Sequence, residues 1–350
     1  MHSQVSAGIA FCYVIYFLLL LYISIIPEKR EEKLLLILNG QLRGGNITWH
    51  SLLHSFINFY SADLAYVGPP LDSHSYVSRS LQLKAKWVWE YNDPEDWATY
   101  FVRPGFEEND RRTLRDICTE PILNKQQFLG GVKLDGACSH PGSAGMLLSY
   151  RRLAYEKLIE NNLAAKYTWI VYSRADYFYL CSPPDLDHFS MNKVYVPKGE
   201  GYGGITDRLH FIPSHLAVEA LNITNHFLTN SIFWLDKLVP LTKNVNLEKL
   251  LKIYYESIGI EVEFFDHVAF TARVENDPTS WSVGSSHPSL QNFGIKPKYR
   301  EELFEALETC AVNLTALELK ACIFQHKHEN LSSFEFFEEC SQWNASGCRH

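Results

Sequence analysis

Residues Thr168–Leu180 read TWIVYSRADYFYL. Trp169, Ile170, Val171 and Tyr172 form an unbroken apolar and aromatic run, the pattern of a strand buried on both faces. The run stops at Ser173-Arg174-Ala175-Asp176. A buried strand that closes on charged residues delivers them to the carboxyl edge of its sheet, where open α/β folds bind ligands. Asp176 suits a divalent metal or a hydroxyl. Arg174, two residues earlier, projects to the same side of an extended chain. The two residues also satisfy each other as an ion pair closing the strand end, and the sequence leaves both readings open.

The flanking sequence sets this strand in an α/β pattern. On its N-terminal side, Gly145–Asn162 reads as a helix, with Met146, Leu147, Leu153, Leu158 and Ile159 at helical spacing. Further upstream, Leu34–Gly40 (LLLILNG) reads as another buried strand that breaks into the glycine turn Gly40-Gln41-Leu42-Arg43-Gly44-Gly45. A helix follows over Trp49–Tyr60 with Thr48 as its N-cap, then a strand over Ala62–Gly68 stopped by Pro69-Pro70. Strand, helix, strand at this spacing is a βαβ unit. In such a unit the turn after the first strand can offer backbone N–H groups to a phosphate. This turn is neither a Walker A loop nor a GxGxxG fingerprint, and a tight turn needing positive φ accounts for its glycines equally well.

Downstream, Lys193–Pro197 is a short strand. Gly199-Glu200-Gly201-Tyr202-Gly203-Gly204 is a tightly turning loop that exits through Asp207-Arg208. A strand over Leu209–Ile212, helices over Pro213–Phe227 and Asn246–Ile258, and strands over Ile260–Phe265 and Val268–Val274 complete the pattern. Between residues 72 and 142 the chain is irregular. Trp87, Trp89, Tyr91, Trp97, Tyr100 and Phe101 crowd near Asp93, Glu95 and Asp96, which reads as core packing or as an aromatic acceptor cleft. Cys118 and Cys138 bracket a glycine-rich loop and are candidates for a bridge.

The ends of the chain bear on compartment. Ala7–Ile26 (AGIAFCYVIYFLLLLYISII) holds no charge, and at about 1.5 Å per residue it spans a hydrocarbon core of about 30 Å. No small-residue cleavage site follows, so the stretch reads as an uncleaved signal anchor. Lys29, Arg30 and Lys33 beyond it would by charge bias hold the C-terminal side in the cytosol. Two features oppose that bias. Five Asn-x-Ser/Thr sequons (Asn46, Asn222, Asn313, Asn330, Asn344) follow the anchor, as do seven of the eight cysteines, four of them in the last 41 residues. The expectation is a single-pass type II protein of the Golgi or ER membrane with its main domain in the lumen. An odd cysteine there is either free or joins two chains in a disulfide-linked dimer. Cys322, His326 and His328 lack CxxC spacing, so disulfides are favoured over zinc. The net charge of -8 argues against nucleic acid as a partner.

The motifs LNGQLRGG, YSRADYF and GYGGITDR, in that order and behind a signal anchor, resemble Golgi-type GT-A glycosyltransferases. More broadly they resemble a group of eukaryotic and viral glycosyltransferase-like proteins. The likeness covers roughly residues 34 to 280. It implies an α/β, Rossmann-like, mostly parallel sheet flanked by helices. The boundaries that go with it are a cytoplasmic tail over 1–6, the anchor over 7–26, a short stem over 27–33, a lumenal catalytic domain over 34–300 and a helical, disulfide-stabilised extension over 301–350. It implies a nucleotide-sugar donor and a glycan or glycoprotein acceptor, with Gln41, Arg43, Gly44, Arg174, Gly203, Gly204 and Arg208 on the donor. In such enzymes an Asp-x-Asp motif holds Mn²⁺ or Mg²⁺, and Asp176 takes the metal position here. Arg174 stands where the first Asp would be. Either Asp176 holds the metal with the diphosphate, water and one of Asp207, His210 or His267, or Arg174 replaces the metal as counter-charge. Asp207 is the candidate base that takes the acceptor proton, and His267 reads as structural. Three alternatives remain: a lumenal sulfotransferase, a lectin-like glycan-binding protein, and an anchored pseudoenzyme.

Overall fold

The computed structural model describes residues 33–92, 127–128, 144–238, 240, 244–274 and 295–312. The anchor stretch, Cys118, Cys138 and everything after residue 312 lie outside them, as do Trp97, Tyr100 and Phe101. Among the described residues no helix is long and apolar enough to cross a membrane.

In chain order the elements are β1 (Leu34–Asn39), α1 (Gly45–Leu52), β2 (Asp63–Gly68), α2 (Tyr76–Lys84), β3 (Trp87–Glu90), β4 (Gln127–Phe128), α3 (Ala144–Glu160), β5 (Trp169–Arg174), β6 (Tyr177–Tyr179), β7 (Lys193–Pro197) and β8 (Leu209–Pro213). There follow α4 (Ser214–Leu221), α5 (Ile223–Thr229), α6 (Ser231–Leu238), β9 (Asn244–Val245), α7 (Leu247–Ser257), β10 (Glu261–Phe265), β11 (Ala269–Val274), β12 (Ile295–Pro297) and α8 (Arg300–Thr309). The main sheet has seven strands in the order β10-β7-β8-β5-β1-β2-β3. β5, β1, β2 and β3 run parallel to one another, β10 pairs parallel with β7, and β8 runs antiparallel to both β5 and β7.

β1 is central because its side chains are apolar on both faces. Leu35 and Ile37 enter one core and Leu34, Leu36 and Leu38 the other. Each such burial stabilises the fold by about 1.5–3 kcal/mol. The first core is closed by α3 and by α4 to α7, the second by α1, α2 and β6. Trp87, Trp89 and Tyr91 are partly buried and pack against the first core.

Several local expectations are corrected. The opening stretch is two strands, not one: a turn at Ala175-Asp176 separates β5 from β6. β6 leaves the main sheet to pair antiparallel with β11 in a sheet of order β12-β11-β6. α1 starts at Gly45, four residues earlier than expected, so Thr48 lies inside it. Its hydroxyl back-bonds to the Gly45 carbonyl at 3.1 Å instead of capping. The rod continues through a wide π turn over Leu53–Ile57 to Tyr60. The helix expected over Pro213–Phe227 breaks at Asn222 into α4 and α5. Cys310, whose partner the sequence left open, is bridged to Cys181, 129 residues away. Residue 301 lies one residue into α8.

Candidate functional site

The antiparallel course of β8 assembles the site. Ser173 pairs with Leu209, so the residues just before β8 arrive at the carboxyl edge of β5. The Arg174 N–H donates to the Arg208 carbonyl at 2.9 Å, which joins the RAD and TDR motifs directly. Next to them, the Ala175 N–H donates to the Asn39 carbonyl at the end of β1, also at 2.9 Å. The glycine turn after β1 lies alongside β11, because the Val274 N–H donates to the Arg43 carbonyl at 3.0 Å.

Asp176 sits on the turn and is buried. Arg174 donates to it twice, from Nε to Oδ1 at 3.0 Å and from Nη2 to Oδ2 at 2.8 Å. Arg273, two residues beyond the β11 residue Thr271 that pairs with Tyr177, donates to the same Oδ2. Burial alone would raise this carboxyl, but Arg174 and then Arg273 outweigh it and hold it far below the carboxylate range. Lys298, just past β12, stands in the same field. Burial first, and then Arg174 and Arg273, push its ammonium down to about 7. Asp176 therefore binds Arg174 and Arg273, Lys298 stands in the same field, and Arg43 is near enough to Arg273 to act on its charge.

Arg208 is also buried, but its pairing differs. It ion-pairs with Glu302 of α8 and with Glu200 of the glycine loop at 3.3 Å, and lies over the Tyr299 ring at 4.2 Å. Glu302 also accepts from the Thr271 N–H at 2.8 Å, so α8 is tied to β11 and to the loop at once. With two carboxylates on it, Arg208 is a fixed internal strut. Asp207 is buried, and its Oδ2 meets no hydrogen-bond donor among the described residues. His210 is fully buried, within 3.0 Å of Arg151 Nη2 and 2.7 Å of the Thr206 carbonyl. Burial and then Arg151 hold its ring well below its usual pKa, so it is neutral. His267 is buried with Nε2 at 3.6 Å from Glu305, the structural setting expected of it.

The proposed donor-binding glycines occupy packing positions. Any side chain on Gly44 would run into Thr48, one turn into α1. Any side chain on Gly204 would run into the Glu248 carbonyl at the start of α7. Gly203, at φ +85°, is a conformational requirement. Gln41 accepts from Arg43 Nε at 2.7 Å, so these two residues act as one unit on the turn after β1. The structure thus draws together Arg174, Asp176, Asp207 and Arg208, and it sets the Gln41–Arg43 turn against β11.

Four participants were missed in the sequence. Arg273 had a readable signal, a lone arginine in the apolar strand AFTARV. Lys298 and Glu302 had none, since they reach the site only through the β11–β12–α8 return. Glu248 looked like an ordinary acidic residue in a helix's first turn.

A divalent metal does not fit Asp176. Both of its oxygens are taken by guanidinium donors, and hard cations need free carboxylate oxygen. Among the described residues no group of three or more His, Cys, Asp or Glu side chains could hold one.

Fold and site together define an α/β protein with a cation-rich cluster at the carboxyl edge of a mostly parallel sheet. No protein-family model matches the chain, and no curated protein matches it significantly. Solved structures similar to it include two glycosyltransferases. One is a glycosyltransferase involved in the glycosylation of the major capsid of PBCV-1, at 9 % identity and TM-score 0.31, with 66 % of this chain and 81 % of that one covered. The other is mouse xyloside xylosyltransferase 1 in its apo form, at 14 % identity and TM-score 0.35, with 67 % and 85 % covered. Overlays this loose carry no functional argument, which rests instead on the residues themselves.

Proposed function

We propose that this chain is a nucleotide-sugar-dependent glycosyltransferase acting on a glycan or glycoprotein, anchored as a single-pass type II protein in the Golgi or ER membrane. The observation that carries the reading is the surplus of positive charge around Asp176. Arg174 and Arg273 bond one carboxylate, and the depressed ammonium of Lys298 registers the field they create. The cluster lies at the carboxyl edge of the sheet, beside the turn after β1, where α/β folds take phosphorylated ligands. A leaving nucleoside diphosphate gains negative charge as the sugar–oxygen bond breaks. Fixed guanidinium and ammonium groups stabilise that charge without reorganising.

In this proposal Asp176 is the hub that orients Arg174 and Arg273, and these cations take the part that Mn²⁺ or Mg²⁺ plays elsewhere. Arg43 and Gln41 reach the diphosphate from the turn after β1. The anchor and the sequons support the lumenal placement. The test is a panel of UDP-, GDP- and CMP-sugars offered to the full chain in detergent, with nucleotide release measured in excess EDTA and in Mn²⁺. The expected result is turnover of at least one donor, equal in both conditions. Binding without turnover would indicate a glycan-binding protein or pseudoenzyme, and the absence of both would overturn the reading.

A further inference from the structure

Asp207 is poorly placed to meet an incoming acceptor. It is 3 % exposed, and its unpartnered Oδ2 is fully covered. The other carboxylates of the cluster are committed, Asp176 to Arg174 and Arg273, Glu302 and Glu200 to Arg208. Glu248 is different. It stands in the first turn of α7, is partly open to solvent, and makes no ion pair with any described residue.

The position of Glu248 relative to Asp207 is fixed by backbone. The Ile205 N–H donates to the Glu248 carbonyl at 2.9 Å, and Gly204 packs against that carbonyl so closely that only glycine fits. The N-cap Asn246 accepts from the Lys249 N–H at 2.8 Å and donates to the Tyr202 carbonyl at 3.3 Å. The loop that carries Asp207 and the helix turn that carries Glu248 are thus clamped at both ends of the contact. The charges of Asp207 and Arg208 on the loop and of Arg174 on β5 act on Glu248. On its own helix Lys249 leans on Gly203. The charged residues of the other elements packed on α7, Asp236 and Lys237 of α6 and Glu261 and Glu263 of β10, act less on it than these.

We infer that Glu248, held in the first turn of α7 against the loop that carries Asp207, is the catalytic residue that takes the acceptor's proton, and that Asp207 is a positioning residue for it. The inference rests on the transferase reading. In the step, the acceptor O–H bond breaks and its proton passes to the Glu248 carboxylate. The oxygen forms a bond to the anomeric carbon of the donor. The bond from that carbon to the diphosphate breaks, and its electron pair leaves with the nucleoside diphosphate. This is a single displacement, and it needs no other reactant. Burial and then the Asp207 charge push the Glu248 carboxyl up to about 7, a value suited to a base that works near neutrality.

The experiment uses the full chain, with UDP- and GDP-sugars as donors and water as acceptor. Wild-type turnover is expected to rise with pH through about 7. Glu248→Gln is expected to lose about 100-fold or more in kcat while KM for the donor and the melting temperature stay near wild type. Glu248→Asp should restore part of the loss. Asp207→Asn should move the rising limb to lower pH, which a purely structural role would not do. If wild type turns over donor and Glu248→Gln does so within about threefold, the assignment falls while the transferase reading stands. An unmoved pH limb in Asp207→Asn also overturns it. Absence of turnover by wild type overturns both.

Discussion

Arg174 and Asp176 form a two-point ion pair across a single intervening residue, with Nε–Oδ1 at 3.0 Å and Nη2–Oδ2 at 2.8 Å. Arg273 closes on the same carboxylate from β11. Asp176 thus holds two guanidinium groups beside each other. Asp176→Asn would leave those like charges facing one another. Losing one member of a buried pair costs about 3–5 kcal/mol, so the variant should unfold at markedly lower urea.

The same pair gives a pH signature. The native carboxyl is held far below its unfolded value of 3.8. The stability it contributes is present above that unfolded value and is lost as pH falls toward the native one. Urea midpoints measured from about pH 6 down to about pH 2.5 should fall more steeply for wild type than for Asp176→Asn. Parallel curves would show that Asp176 is not held by its arginines in solution.

How far the sequence reached is clear at this pair. The spacing of Arg174 and Asp176 announced the charged end of a buried strand and offered the ion pair as one of two readings. What it did not announce was the turn at Ala175-Asp176, because Tyr177, Phe178 and Tyr179 continue the apolar run in composition. Only the pairing of those three with β11 shows that the chain has changed sheets. The direction of β8 was equally hidden, since LHFIP reads the same in either orientation, yet that direction brings Asp207 and Arg208 to Arg174. Glu302 is 94 residues from Arg208 and carries no local mark of its role. Local pattern thus supplied most strands and helices, and non-local return connections supplied most of the site.

The disulfide bears on that return. Cys181, two residues after β6, is bonded to Cys310 at the end of α8, the helix that carries Glu302. A disulfide typically stabilises by about 2–4 kcal/mol, and loop closure over a span this long lies at the upper end or a little above it. The double variant Cys181→Ser/Cys310→Ser should lose that amount in equilibrium unfolding. Hydrogen exchange should quicken first in α8, which is otherwise tied by side-chain contacts such as Glu302, Glu305 and the apolar face of Leu303, Ala306 and Leu307. Unchanged protection in α8 would show that the bridge does not anchor the helix.

Gly204 tests the clamp between the glycine loop and α7. An added Cβ would meet the Glu248 carbonyl and the Lys249 nitrogen, both backbone atoms that cannot swing aside. Gly204→Ala should therefore cost about 1–3 kcal/mol of overpacking and shift the first turn of α7. Gly203→Ala tests strain instead, because its φ of +85° disfavours any side chain while its neighbour is the flexible end of Lys249. The two variants should separate by crystallography or by chemical shift. Gly204→Ala should displace Asn246–Lys249, and Gly203→Ala should leave them in place.

Lys298 offers the most direct reading of the anion site. Its ammonium is pushed down to about 7, first by burial and then by Arg174 and Arg273. A bound diphosphate would compensate those charges and raise it again, so binding and protonation of Lys298 favour each other. The affinity for a UDP-sugar, whose diphosphate diester does not titrate here, should fall as pH rises from about 6 to about 8.5. Binding near the upper end of that range should take up a proton, seen as a dependence of the calorimetric heat on the ionisation enthalpy of the buffer. In Lys298→Met, affinity should be lower at pH 6 and nearly flat with pH. A wild-type affinity that does not change across this range, or a variant that keeps the full slope, would place the diphosphate away from Lys298 and from the arginines that surround Asp176.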